Sequence, residues 1–217
     1  MEKREFEVQD PLYKYVKVPE VIQQASGIQI LNQYIKSIIF TTDVVIIKNN
    51  DADAIMAVYP FTPQPILAQA LATVANMPLI VGVGGGTTQG ERAVDLALDA
   101  EFQGVLSVIL NAPIDNQTLA AIKEKVRIPV IASVVATEGV EGRLENGADI
   151  LNVCAGPKTV EIVASIRKQY PDVPIIATGG QSEESIQRTI EAGANAIIYT
   201  PPTITKLMKE LMDVYRQ

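Results

Sequence analysis

Three segments of this chain begin alike: Pro78-Leu79-Ile80-Val81-Gly82, Pro129-Val130-Ile131-Ala132-Ser133 and Pro174-Ile175-Ile176-Ala177-Thr178. Each places a proline before three apolar residues and ends in a small or hydroxylated one. Proline is tolerated at the first residue of a strand, and an unbroken apolar run suits a strand buried on both faces. A second kind of segment alternates with the first: Ala52-Asp53-Ala54-Ile55, Ala148-Asp149-Ile150-Leu151 and Ala194-Asn195-Ala196-Ile197. Each opens a strand after a turn, and a proline follows each strand, at Pro60, Pro157 and Pro201. Gly104 to Leu110, followed by Pro113, is a looser member of this second set.

The pieces between read as helices. Thr62 is suited to cap a helix Pro63 to Asn76 with proline at its first position. Thr88 to Ala100, Asp115 to Val126, Thr137 to Asn146, Lys158 to Tyr170, Ser182 to Ala192 and Thr203 to Tyr215 follow. Gly147 and Gly193 stand where a helix ends in a left-handed residue. Within Lys158 to Tyr170, Val160, Ile162, Val163 and Ile166 share one face and Glu161, Arg167 and Lys168 the other. The strands then fall at about 36–41, 54–59, 79–83, 104–110, 130–134, 149–153, 174–178 and 196–199.

Residues 43–50 are the ambiguous connection. Their β-branched residues favour a strand, giving a hairpin, whereas parallel neighbours need a crossover, giving a short helix capped by Thr42. The pattern predicts an α/β fold, a (β/α)8 TIM barrel with an N-terminal helical extension, with an open doubly-wound sheet as its rival. One barrel domain spans 1–217, with 1–34 as the extension, one helix at Pro19 to Ser26, and a place beneath the barrel.

Hydrophobic residues make up 47 % of the 217 and charged residues 20 %, enough for a sizeable core. The net charge of −7 and the lack of a basic run argue against a nucleic-acid partner. With no histidine, His-based acid–base catalysis and the usual His-rich metal sites are excluded. No metal and no cofactor is expected. The single cysteine, Cys154, fits a reducing compartment. No signal peptide is read at the N-terminus, and Ile35 to Ile47 is too short and too polar for a membrane span. A cytoplasmic location with no membrane partner is the expectation. Leu207, Leu211 and Met212 on the last helix point to packing on the barrel before they point to a homo-oligomer.

In such a barrel chemistry sits at the strands' C-terminal ends. That rim reads Thr41, Thr42, Asp43, Tyr59, Gly82 to Thr88, Asn111, Ser133, Asn152, Cys154, Thr178 and Tyr199-Thr200, rich in neutral hydrogen-bonding groups. The run Ala177-Thr178-Gly179-Gly180 is its strongest signal. Paired glycines let a backbone approach a ligand, and the next helix presents free N–H groups to an anion. A tight turn without a ligand is the plainer reading.

Gly84 and Gly85 lie in a glycine-rich loop that either wraps a substrate or is simply a surface loop; it departs from the dinucleotide fingerprint at Thr87. Asp43 is the carboxylate at a strand end, a candidate general base or a helix cap. Asn111, Asn152 and Thr178 are placed to polarise a substrate. Lys158 either reaches back to a phosphate or stays solvated. Cys154 is either a nucleophile, which would make the protein a hydrolase, or an inert thiol.

From Pro78 to Pro202 the chain resembles the aldolase-type phosphate-binding barrels, nearest to 2-keto-3-deoxy-6-phosphogluconate aldolase. Leu79-Ile80-Val81-Gly82-Val83-Gly84, the run Glu145 to Asn152 (ENGADILN) and Ala177-Thr178-Gly179-Gly180 carry the likeness. The resemblance implies that the loops after strands six to eight hold a phosphate, at Gly156, Gly179, Gly180 and Thr200. The whole chain also resembles a group of bacterial barrel proteins with only generic labels.

That family's Schiff-base lysine falls where this chain has Leu151-Asn152-Val153-Cys154, and its glutamate where it has Met56-Ala57-Val58-Tyr59. Scaffold and anion site therefore transfer, and the imine chemistry does not. The expectation is a barrel that binds a small phosphorylated or anionic metabolite, as a metal-independent lyase, aldolase-like enzyme or isomerase. The alternative is a non-catalytic metabolite-binding or regulatory barrel.

Overall fold

A computed structural model describes residues 16–180 and 182–216. A hairpin of β1 (Ile28–Ile30) and β2 (Gln33–Ile35) precedes eight parallel strands: β3 (Ser37–Phe40), β4 (Ala54–Ala57), β5 (Leu79–Gly84), β6 (Ser107–Leu110), β7 (Val130–Val134), β8 (Ile150–Val153), β9 (Ile175–Thr178) and β10 (Ala196–Tyr199). They close into a barrel because β10 pairs with β3, Ile197 opposite Ser37. The expected (β/α)8 fold is what forms, and the open sheet is excluded. The helices are α1 (Val44–Lys48), α2 (Pro65–Val74), α3 (Glu91–Phe102), α4 (Asn116–Lys125), α5 (Val140–Glu145), α6 (Thr159–Gln169), α7 (Glu183–Glu191) and α8 (Ile204–Tyr215). None among the described residues is long and apolar enough to cross a membrane.

The ambiguous first connection is helical, but Thr42 is not its cap. Asp43 takes that role, accepting from the N–H groups of Val45 at 2.9 Å and Ile46 at 3.3 Å. A carboxylate one residue later reaches two orphan donors of the first turn. The second helix also starts later than expected, at Pro65 rather than Pro63. Thr62 makes no cap there; the Gln64 N–H donates instead to the Tyr59 hydroxyl at 2.8 Å.

The N-terminal extension departs most from expectation. Residues 1–15 lie outside the described residues. The helix expected over Pro19 to Ser26 is a 3-10 turn, Glu20–Gln24, and the unforeseen β1–β2 hairpin follows it. Ile28, Ile30 and Ile35 are buried and pack with Ile38, Ala54, Leu106, Ile150 and Ala196 inside the barrel. These partners stand at or near the strands' N-terminal ends, so the hairpin closes the bottom of the barrel.

The recurrent Ala-Asp and Ala-Asn segments now have a physical role. The Asp53 N–H donates to Ser37 O at 3.1 Å while its Oδ2 accepts from the N–H groups of Lys36 and Ser37, both at 2.9 Å. Asp149 does the same to Val130, at 2.9 Å through its own N–H and 2.8 Å through Oδ2. Asn195 binds Ile175 at 2.8 Å in both directions. Thus β4, β8 and β10 are each stapled to the start of the preceding strand. At the looser fourth segment only the backbone bond survives, Leu106 N–H to Leu79 O at 2.8 Å, and the Leu106 side chain joins the inner core.

An Asn195→Ala variant leaves the Ile175 N–H without its acceptor and is expected to lose about 1–3 kcal/mol of stability. Asn195→Asp keeps an acceptor and should fall closer to wild type in chemical denaturation. Wild-type stability in the alanine variant would remove the staple from the account.

Candidate active site

Side chains along a strand alternate between the two faces of the sheet. Ile38, Met56, Ile80, Ile109, Ile131, Ile150, Ile176 and Ile198 pack together inside the barrel, so the residues two further on also face inward, at its mouth. Those positions are Phe40, Val58, Gly82, Asn111, Ser133, Asn152, Thr178 and Thr200. Four of the expected residues, Asn111, Asn152, Thr178 and Thr200, thus face inward at the mouth, at different heights, since the register sets Asn152 beside Ile176 and Thr178 beside Ile198.

Ser133, which the rim reading contained without a role, belongs to this inward set as well. The register pairs Ser133 with Asn152, and Asn152 Nδ2 donates to Ser133 Oγ at 2.9 Å. Both are nearly enclosed, 3 % and 5 % exposed, and Asn152 Oδ1 is buried with no hydrogen-bond partner. Strand alternation alone would have flagged Ser133; its pairing with Asn152 needed the register.

Cys154 continues the inward column beyond Asn152, its N–H bonded to Val134 O at 3.1 Å. The residue is exposed to the mouth. Desolvation at the sulfur pushes the thiol up from its ordinary value, and the nearby Ser133 hydroxyl acts in the opposite direction.

On the β4–β6 side a cleft of about 210 Å³ is lined by Tyr59, Phe61, Pro63, the loop Gly84 to Thr87, and Asn111. The loop is held by its own backbone, Gly85 N–H to Thr88 O at 2.8 Å. Gly85 has φ of +102°, and a Cβ there would lie 2.5 Å from Asn111 Cβ. Its lack of a side chain lets the loop rest against Asn111. Gly86, with φ of +65°, faces open space.

On the β8–β10 side lie the residues expected to bind an anion. Gly179 donates to Ile198 O at 3.4 Å, and its carbonyl accepts from the Ser185 hydroxyl at 2.7 Å. Ser182 caps α7 by accepting from the Ser185 N–H at 3.2 Å, and Glu183 and Glu184 occupy the first turn. Part of this helix end is therefore satisfied by the chain itself. Gly180, with φ of +83°, keeps an N–H without an acceptor among the described residues, as does Gly156 at φ of +58°. Lys158 is exposed, follows Gly156, and has no carboxylate partner among the described residues.

Two charged residues near the mouth are engaged elsewhere. Arg143 donates to Asn116 Oδ1 and Ala112 O, both at 2.7 Å. Asp115 caps α4, and hydrogen bonds from the backbone and hydroxyl of Thr118 hold its carboxyl below the usual carboxylate range. Asp43 commits Oδ1 to its cap and leaves Oδ2 without a partner among the described residues.

No protein-family description matches the chain, and no curated protein is significantly similar to it. Solved structures are similar in fold. A phosphonopyruvate hydrolase, complexed with oxalate and Mg, superposes with a TM-score of 0.64 at 16 % identity, over 83 % of this chain and 80 % of that one. A phosphoenolpyruvate phosphomutase from Streptomyces platensis subsp. rosaceus gives 0.63 at 13 %, over 83 % and 80 %. An aldolase, QR15, gives 0.58 at 18 %, over 74 % and 84 %. These likenesses show the barrel fold; the narrower resemblance to 2-keto-3-deoxy-6-phosphogluconate aldolase rests on its sequence landmarks.

The two loop glycines are expected to differ in cost. Gly86→Ala should lose about 1–2 kcal/mol, the usual penalty of a side chain in the left-handed region. Gly85→Ala adds a clash with Asn111 and should lose clearly more in thermal or chemical unfolding. Equal losses would mean that the loop does not rest on Asn111.

Proposed function

We propose that this barrel binds a small phosphorylated or otherwise anionic metabolite across its mouth and acts on it as an enzyme. The observation that carries the reading is the set of inward polar residues Asn111, Ser133, Asn152, Thr178 and Thr200, between free backbone N–H groups on one side and an open cleft on the other. The anionic group sits over Gly156 and Gly180, whose N–H groups have no acceptor among the described residues, with Thr200 beside them and Lys158 supplying the positive charge. Backbone amides at adjoining loops are suited to such oxygens. The rest of the molecule crosses the inward polar residues towards the cleft beside Tyr59, Gly84 and Gly85. The names of two structural neighbours refer to phosphonate and phosphate esters of three-carbon acids, which agrees with this class of ligand.

For the reaction, the reading is a lyase, aldolase-like or isomerase step beside a carbonyl group. Asn111 and Thr178 donate hydrogen bonds to the carbonyl oxygen as negative charge develops there. The free Oδ2 of Asp43 accepts a proton. This uses no lysine imine, in keeping with the strand-six run Leu151 to Cys154. A second reading, a barrel that binds a metabolite without turning it over, is favoured by the absence, among the described residues, of any carboxylate or amine from the inward positions of the mouth.

The test is thermal unfolding with inorganic phosphate and with phosphorylated keto acids and sugars, followed by turnover assays of whatever stabilises. A ligand at ten times its Kd adds about 1.4 kcal/mol, which raises Tm by roughly 3–6 °C for a chain of this size. The exposed Lys158→Glu substitution should leave the unliganded Tm unchanged and abolish most of that rise. Stabilisation without turnover selects the binding reading. No stabilisation by any anion rejects the anion site.

A further inference from the structure

Each of α1 to α7 buries at least one side chain; among the described residues α8 buries none. Yet its sequence carries a continuous apolar face, Ile204, Leu207, Met208, Leu211, Met212 and Tyr215, at spacings of three and four with the charged residues behind. The N-terminal extension explains why that face is not seated. In the ring of helices α8 belongs between α7 and α1, because β10 lies between β9 and β3. The lower part of that place is taken. Val16 N–H donates to Asn49 O at 3.2 Å at the end of α1, and the 3-10 turn Glu20–Gln24, with Ile22 buried, packs on α7. So Ile204 and Leu207, at the start of α8, are half-buried, whereas Met208, Leu211, Met212 and Tyr215 beyond them are exposed. Of the three residues expected to pack on the barrel, only Leu207 joins the core.

The charges on the helix say what fits there. α5, α6 and α7 each place an acid in the first turn and a base in the last, as the helix dipole favours. α8 does the reverse: Lys206 lies in the first turn and Lys209 follows, with Glu210 and Asp213 in the second half and no base in the last turn. Lys206 approaches Glu210 to 4.0 Å and Arg216 approaches Asp213 to 3.9 Å, but all four are exposed, so these pairs hold the charges weakly. An antiparallel copy of the same helix sets each basic half against an acidic half and opposes the two dipoles. We propose that α8 is the dimer contact of this protein, two copies packing their exposed apolar faces antiparallel about a two-fold axis. One helix from each copy makes a small interface, so the dimer depends on concentration.

Sedimentation velocity of the full chain from about 1 to about 100 µM tests this. Wild type should be dimeric at the upper end. Leu211→Glu should weaken association roughly tenfold or more, with circular dichroism and Tm close to wild type. The charge order is read in variants that leave the apolar face alone. Lys206→Glu with Lys209→Glu, and Glu210→Lys with Asp213→Lys, should each stay monomeric alone and form a mixed dimer when combined. All four substitutions together should give a chain that pairs with itself and not with wild type; free exchange with wild type overturns the antiparallel contact. A dimer that Leu211→Glu leaves intact places the contact elsewhere and overturns the proposal. So does a wild type that stays monomeric throughout. In that case a lowered Tm in Leu211→Glu would assign the face to residues 1–15, and binding of anionic phospholipid vesicles would assign it to a membrane surface.

Discussion

Each even-numbered barrel strand begins by gripping the one before it. At Asp53, Asp149 and Asn195 one residue donates its own N–H and offers a side-chain oxygen to the same neighbour, so two bonds share one pair of residues. A single backbone bond tolerates sliding; a second from a side chain of fixed length does not. In a parallel barrel a slip of one residue exchanges every inward side chain for an outward one. The inward set of polar residues at the mouth is therefore a consequence of what happens at the opposite end of the strands. Where the grip is reduced to backbone, at Leu106, an apolar side chain fills the floor instead and register is held by packing.

This division of labour leaves the mouth free to carry polar groups that do nothing for stability. Asn152 Oδ1 illustrates it: a buried acceptor without a partner is tolerated because isoleucines below and staples further down hold the strand in place. The clefts and loops above are similarly unconstrained. Gly85 is fixed by its backbone bond to Thr88 and by its need to clear Asn111, while a Cβ on Gly86 would meet nothing nearby. Stability is concentrated at the floor, which leaves the rim to the proposed chemistry, the usual separation in barrels of this kind.

Much of the fold was legible in the sequence because its signals are local. Proline followed by an apolar run marked β5, β7 and β9, and the Ala-Asp or Ala-Asn turns marked the strands between. Gly147 and Gly193, read as helix ends, have φ of +92° and +109°. Helix starts were less legible: several hydroxyls and carboxylates compete near each one, and geometry alone decides that Asp43 caps α1 where Thr42 does not. The β1–β2 hairpin escaped notice because two three-residue strands carry little periodic signal, and their partners lie far along the chain. At the site, the rim residues could be named from strand ends. Which of them meet, as Ser133 meets Asn152, depends on register between strands whose sequences are unrelated.

The seam between β10 and β3 joins the last strand of the barrel to the first. Gly27 donates to Asn195 O at 2.8 Å, Asn195 Nδ2 donates to Ser26 Oγ across 169 positions of sequence, and Ile197 N–H reaches Lys36 O at 2.8 Å. During synthesis the floor hairpin emerges early with its near partners Ile38 and Ala54, but its partners Ile150, Asn195 and Ala196 follow much later. Such long-range closure slows folding, because the entropy of a large loop must be lost before the contacts that reward it can form. Until β10 has been made the sheet is unclosed and has two bare edges, the form in which such a sheet is most exposed to pairing with a neighbour.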